Sequence, residues 1–173
     1  MNFKSELHKI KAFLFDVDGV MTDGKVLVTA DGDLWRTFNA KDGYAIRFAV
    51  SQGYKIGIIT GGASDTIALR FRRLGVDDIY LCSYDKTADY DDFKKRYGLI
   101  DEEIIFMGDD VPDIPVMQAC GIPVCPADAV DEVKRISRYI SPYGGGSGCV
   151  RDVVEQVMKI QGNWRIDSEI PSG

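Results

Sequence analysis

Short apolar runs that stop abruptly at polar residues recur along this chain, separated by segments whose apolar positions follow helical spacing. The first run, Ala12 to Phe15, halts at Asp16 and reads as a central strand of a parallel sheet, where both faces are covered. Two apolar-rich arms then flank Ala30-Asp-Gly-Asp33, a hairpin signal placed at about residues 24–38. Ala45, Ile46, Phe48 and Ala49 predict a helix from Asp42 to Gln52 with Gly53 as its stop. Tyr54 to Thr60 predicts a second buried strand, followed by a helix capped by Ser64 or Asp65 and closed at Gly75. The alternation continues with strands at Ile79 to Cys82, Ile104 to Met107, Ile122 to Cys125 and Tyr139 to Ile140. Helices are expected at Lys86 to Tyr97, from Pro112 to about Ala119, around Asp131 to Ser137, and from Val150 to about Gln161. Strands alternating with helices specify an α/β architecture with a doubly wound, mainly parallel sheet. We expect one domain over residues 1–162 and a tail over 163–173 with Trp164 as an anchor.

Composition narrows the possibilities. A 45% hydrophobic and 28% charged chain is ordinary for a globular protein. Its net charge of -6 argues against general binding to nucleic acid or anionic membranes. An anionic substrate therefore requires a local positive site. No stretch approaches the roughly 18 apolar residues of a membrane span, and the charged N-terminus lacks the pattern of a signal peptide. Cys82, Cys120, Cys125 and Cys149 show no C-x-x-C spacing and read as buried free thiols of a cytoplasmic protein rather than disulfides. His8, the only histidine, lies in the N-terminal leader, which disfavours histidine-based catalysis.

Chemistry collects where strands end. Asp16 and Asp18 follow the first strand, Thr60-Gly61-Gly62 the second, Lys86 the third, and Asp109, Asp110 and Asp113 the fourth. Ligands of open α/β sheets bind just outside these carboxyl ends. Closely spaced acids repel unless a cation intervenes, and Mg²⁺ favours one or two carboxylates plus phosphate oxygens. Singly, Thr60 can be a helix cap, Lys86 a solvated helix residue, and the acids after Gly108 a capping cluster. Together, a carboxylate nucleophile, an acid pair for metal, a hydroxyl and a lysine suit phosphoryl transfer.

At these positions the chain resembles the haloacid dehalogenase-like phosphatase superfamily, through Asp16-Val-Asp18-Gly19, Thr60-Gly61, Lys86 and Gly108-Asp109-Asp110-x-x-Asp113. The resemblance implies that Asp16 attacks phosphorus and Asp18 serves first as acid, then as base. It implies Mg²⁺ on Asp16, the backbone carbonyl of Asp18, and Asp109, with Thr60 and Lys86 gripping phosphoryl oxygens. Asp110 and Asp113 would orient Lys86 or metal-bound water. Asp16 and Thr60 lie 44 positions apart, and Lys86 and Asp109 lie 23 apart, too few for an inserted lid, so a capless Rossmann-like member is expected.

The longer strings Phe38-Asn-Ala-Lys-Asp-Gly-Tyr-Ala-Ile46 and Gly144-Gly-Gly-Ser-Gly-Cys-Val-Arg-Asp152 are similar to 3-deoxy-D-manno-octulosonate 8-phosphate phosphatases. That family hydrolyses a phosphorylated acidic sugar on the way to lipopolysaccharide. It forms homotetramers in which a neighbour's hairpin completes each site. Gly62 stands where some relatives have a charged side chain, and Ser147 where some have a basic one. Gly62 also argues against the related phosphatases of nine-carbon sialic-type sugars, which use an acid there. Gly61, Gly62, Lys41 and Arg70 are the candidate substrate-binding residues, with Arg151 a further cation. A signalling receiver domain and a non-catalytic regulatory domain are the rival readings. The position of Asp-x-Asp-Gly on the first strand disfavours the former, and the full reactive set the latter.

Overall fold

The structure is a computed structural model and describes residues 3–165. In chain order the elements are α1 (Phe3–Glu6), β1 (Ala12–Phe15), β2 (Leu27–Val28), β3 (Leu34–Trp35), α2 (Ala40–Ser51), β4 (Lys55–Ile59), α3 (Asp65–Arg72) and β5 (Asp78–Tyr80). They continue as α4 (Lys86–Tyr97), β6 (Ile104–Met107), α5 (Ile114–Ala119), β7 (Ile122–Cys125), α6 (Asp131–Ile136), β8 (Tyr139–Ile140) and α7 (Cys149–Ile160). Six strands form one parallel sheet in the order β5-β4-β1-β6-β7-β8, and β2 and β3 form a separate antiparallel hairpin.

The central strand shows how the pattern becomes layers. All four residues of β1 are buried, and their side chains alternate between the two faces. Phe13 and Phe15 join a core with residues of α2, α3 and α7, whereas Ala12 and Leu14 join one with residues of α4, α5 and α6. Helices on both faces explain why β1 is uninterruptedly apolar. The chain winds from β1 through β4 to β5, then returns to β6 and continues to β8. The strand order therefore reverses beside β1, where α/β folds open a crevice.

Several expected boundaries move for local reasons. Helix α2 begins at Ala40, because the Asn39 side chain accepts from the backbone N–H groups of Lys41 and Asp42. Ser64 holds the N-cap position of α3 but makes no capping bond; its hydroxyl pairs with that of Thr66. Strand β5 stops at Tyr80, and Cys82 turns into the left-handed region at φ 52°, which leaves it exposed where a buried thiol is expected; the other three cysteines are buried. That turn brings the Ser83 N–H to the Thr60 carbonyl at 2.9 Å. Pro112 lies in a 3₁₀ turn, Val111–Asp113, before α5 rather than in its first turn.

The N-terminal leader forms α1, whose Phe3 ring stacks on Tyr139 with centroids 4.4 Å apart. At the other end, Trp164 meets Phe48 edge-on at 5.2 Å and Arg151 at 5.5 Å. Residues 166–173 of the expected tail lie outside the described residues. Among the described residues no helix is long and apolar enough to cross a membrane.

Candidate active site

The carboxyl ends of β1, β4 and β6 converge on a cleft of about 480 Å³. Asp16, Asp18, Thr60, Gly61, Gly62, Lys86, Asp109, Asp110 and Asp113 all line it.

Buried Lys86, the first residue of α4, reaches Asp113 Oδ1 at 2.6 Å and Asp16 Oδ2 at 3.0 Å. The Asp16 Oδ1 accepts from the Val17 N–H at 2.7 Å. Asp113 is fully engaged, since its Oδ2 accepts from the backbone N–H groups of Asp109 at 3.0 Å and Asp110 at 3.4 Å. Asp110 is exposed and caps the 3₁₀ turn through the Val111 N–H. The Asp109 carboxylate rests over the backbone of Gly19, where an added Cβ would lie 1.8 Å from Oδ2, at a φ of +84°. Only glycine is compatible with that approach. Thr60 is buried, and its hydroxyl oxygen accepts from the Gly62 N–H at 3.1 Å.

One lysine does not balance these acids. Burial, reinforced by Asp113 and only partly offset by Lys86, raises the Asp16 carboxyl to about 7. Burial together with Asp16, Asp113 and Asp110 raises Asp109 to about 8. The Asp109 Oδ1 is buried with no hydrogen-bond partner among the described residues. Asp16, Asp109 and Asp113 each place an oxygen within 4.8 Å of the others. An orphaned carboxylate oxygen beside a second carboxylate fits a small, oxygen-seeking divalent cation such as Mg²⁺. Asp113 accepts three hydrogen bonds and Asp16 two, whereas Asp109 Oδ1 has none among the described residues, so Asp109 with the less engaged Asp16 suits the cation best.

This balance predicts a pH-dependent response to Mg²⁺. Both carboxyls bind protons more tightly in the folded chain than at the unfolded value of about 3.9. The native state therefore holds more protons between roughly pH 4 and 8, and metal-free stability falls as pH rises through that window. Mg²⁺ competes with those protons, so its stabilisation grows with pH. We expect the Mg²⁺-induced rise in thermal midpoint to be about 3–5 °C larger at pH 8 than at pH 5.5, as for a tenfold tighter site. Equal shifts at both pH values in a thermal-denaturation series would contradict this.

Two expected residues lie elsewhere. Arg70 turns from the cleft towards α2, because Ile67 and Phe71 of the same helix face the core. A Cβ added to Gly43 would meet its Nη2 at 2.4 Å. Lys41 lines a different groove, of about 850 Å³, with Arg151 between α2 and α7. In this chain neither borders the cleft that holds Asp16. Conversely, Arg36 was not singled out from the sequence, yet its Nε donates to Asp18 Oδ1 at 2.7 Å and its Nη2 to Oδ2 at 3.1 Å. Its signal was a lone arginine on the second arm of the hairpin. Ser83 and Tyr84, which also line the cleft, follow the unanticipated turn at Cys82.

Fold and strand-edge chemistry define a capless hydrolase of the haloacid dehalogenase-like class, and the family described as haloacid dehalogenase-like hydrolase matches residues 40–121. The 3-deoxy-D-manno-octulosonate 8-phosphate phosphatase KdsC of Escherichia coli (strain K12) is 31% identical over 158 residues, covering 91% of this chain and 84% of the relative. The chain belongs to this family of phosphatases. The Yersinia pestis phosphatase of the same name superposes with a TM-score of 0.90 at 31% identity, over 92% of this chain and 86% of that one. A Moraxella catarrhalis phosphatase, solved with magnesium ion, phosphate ion and KDO, gives 0.89 at 28% identity, over 93% of this chain and 92% of the other.

Proposed function

We propose that this phosphatase hydrolyses 3-deoxy-D-manno-octulosonate 8-phosphate to the free sugar acid and phosphate, with Mg²⁺ as cofactor. The observation that carries the reading is the acid cluster of Asp16, Asp109 and Asp113 around Lys86 at the end of β1, in a chain whose relatives bear that activity in their names. Mg²⁺ would be held by Asp16, the Asp18 backbone carbonyl and Asp109, and would neutralise charge between phosphate and carboxylate.

The chain's own groups do the rest. An Asp16 carboxylate oxygen attacks phosphorus, and the ester P–O bond breaks with its electron pair on the sugar oxygen. Asp18 gives that oxygen a proton. Water then attacks the aspartyl phosphate as Asp18 takes a proton back, and inorganic phosphate leaves. The Thr60 hydroxyl and Lys86 hold phosphoryl oxygens, and Asp113 keeps Lys86 aimed at Asp16. Gly61 and Gly62 leave the backbone open for phosphate to approach.

Without a cap, the site needs another cover. The hairpin exposes Val26, Leu27, Val28, Leu34 and Trp35 together, which supports a homotetramer whose neighbouring hairpins cover the clefts. Free cysteines accord with a cytoplasmic enzyme.

A panel of phosphorylated sugars assayed for Mg²⁺-dependent phosphate release tests the substrate. The eight-carbon ulosonate phosphate is expected to exceed neutral hexose phosphates in kcat/KM by about 10²-fold or more. A preference for a hexose phosphate would reject the acidic-sugar reading. A preference for a nine-carbon sialic-type 9-phosphate would shift it to that alternative.

A further inference from the structure

The hairpin is largely solvent-facing, with Leu27, Val28 and Trp35 exposed by 64%, 66% and 59%. Arg36 departs from that pattern, for only 6% of its side chain remains exposed. It inserts beneath the hairpin and presents its guanidinium fork to both oxygens of Asp18, with bonds of 2.7 and 3.1 Å. The remaining arm of the guanidinium donates to the Leu34 carbonyl at 3.0 Å, which ties the fork to the hairpin backbone. It also packs beside Gly62, where an added Cβ would lie in ordinary contact with Arg36 Nη2 at 3.5 Å. The guanidinium thus stands where the hairpin, the Asp16–Asp18 loop and the turn after β4 meet.

A surface ion pair of ordinary kind contributes little and fixes nothing. This pair differs in being two-pronged, enclosed on the arginine side and formed between segments 18 residues apart. A carboxylate rotates easily about its terminal torsion, so an unheld Asp18 would sample many orientations. Two parallel N–H···O bonds select one.

We propose that Arg36 is a positioning residue that aims the Asp18 carboxyl at the leaving oxygen of the bound phosphate ester. The proposal rests on the acid-then-base reading of Asp18 given above and names the group that sets its direction. As the ester P–O bond breaks, its electron pair stays on oxygen and the Asp18 proton moves to it. The longer bond, from Nη2 to Oδ2, is the one that yields while Oδ2 carries the proton, and Nε keeps hold of Oδ1. When water attacks the aspartyl phosphate, Asp18 regains a proton in the same orientation.

The test exploits leaving groups. An alkyl phosphate releases a basic alkoxide that needs the Asp18 proton, whereas p-nitrophenyl phosphate releases a phenolate that leaves without one. Arg36→Ala is expected to lower kcat for an alkyl phosphate by about 10²-fold, with KM within about threefold, as loss of aimed general-acid catalysis requires. First-turnover release of nitrophenolate, followed in a rapid-mixing burst experiment, should stay within about threefold of the unaltered protein. Arg36→Lys keeps the charge without the fork and should show the same contrast at about tenfold; it decides the matter if the alanine variant does not fold. An equal fall for both substrates, a rise in KM alone, or no change in either overturns the proposal. If the unaltered protein hydrolyses both simple esters but no ulosonate phosphate, the substrate reading fails, while the contrast still upholds Arg36. If it hydrolyses neither, the acid–base mechanism falls and the role of Arg36 falls with it.

Discussion

Asp16→Asn is expected to cut phosphate release by about 10⁴-fold or more while the protein stays folded. An amide cannot attack phosphorus, and removal of a nucleophile in other hydrolases costs losses of about that size. The fold should tolerate the change for reasons visible in the site. The amide oxygen can still accept from the Val17 N–H, and Lys86 keeps its 2.6 Å partner, Asp113. Burial and the neighbouring Asp113 oppose a charge on Asp16, so a neutral isostere relieves repulsion. The metal-free variant should therefore melt no lower than the unaltered protein near pH 7.5. Phosphate release and a thermal melt on the same preparation check both halves. Turnover near the normal rate would remove Asp16 from the role of nucleophile.

Lys86→Ala should produce the largest loss of stability. It takes away the cation that bridges Asp16 and Asp113 and leaves Asp16, Asp109 and Asp113 crowded without compensation. Breaking a buried ion pair by deleting one partner typically costs about 3–5 kcal/mol. For a chain of this length that corresponds to a midpoint lowered by about 10 °C at pH 7.5. The deficit should shrink towards pH 5.5. The native carboxyls already bind protons more tightly than the unfolded ones, and loss of Lys86 strengthens that tendency, so acid favours the folded form. Added Mg²⁺ should recover part of the midpoint but not the activity, since one holder of the phosphoryl oxygens is gone; a loss of about 10²–10³-fold is expected. A variant that melts with the unaltered protein in metal-free buffer would show that Lys86 does not balance the acid cluster.

Much of this site was legible before folding was considered in three dimensions. Asp16, Thr60 and Asp109 each sit at or just beyond the end of an apolar run, and Lys86 opens the helix after another. In a parallel sheet every such end lies on the same edge, so one-dimensional order translates directly into spatial convergence. The bounds of β1, β6, β7 and α4 match because burial on both faces, or a Gly stop at Gly98, leaves no competing conformation. The failures share a different cause. Arg70 follows from how α3 rotates on its packed face, which the spacing from Gly62 does not report. The turn at Cys82 answers to hydrogen bonds that the Cys82 and Ser83 N–H groups donate to the carbonyls of Gly62 and Thr60, twenty or more residues away.

What the sequence determined alone is the run of buried strands, their polar endings, and hence a phosphate-handling edge with more acid than base. Local periodicity and chain order suffice for that, because neighbouring residues decide them. Only the tertiary structure decided that Arg36 comes down on Asp18, that Asp109 rests on Gly19, and that Arg70 and Lys41 face away from the cleft. Those outcomes depend on side-chain direction and on the docking of segments distant in the chain, which packing resolves and no local pattern encodes.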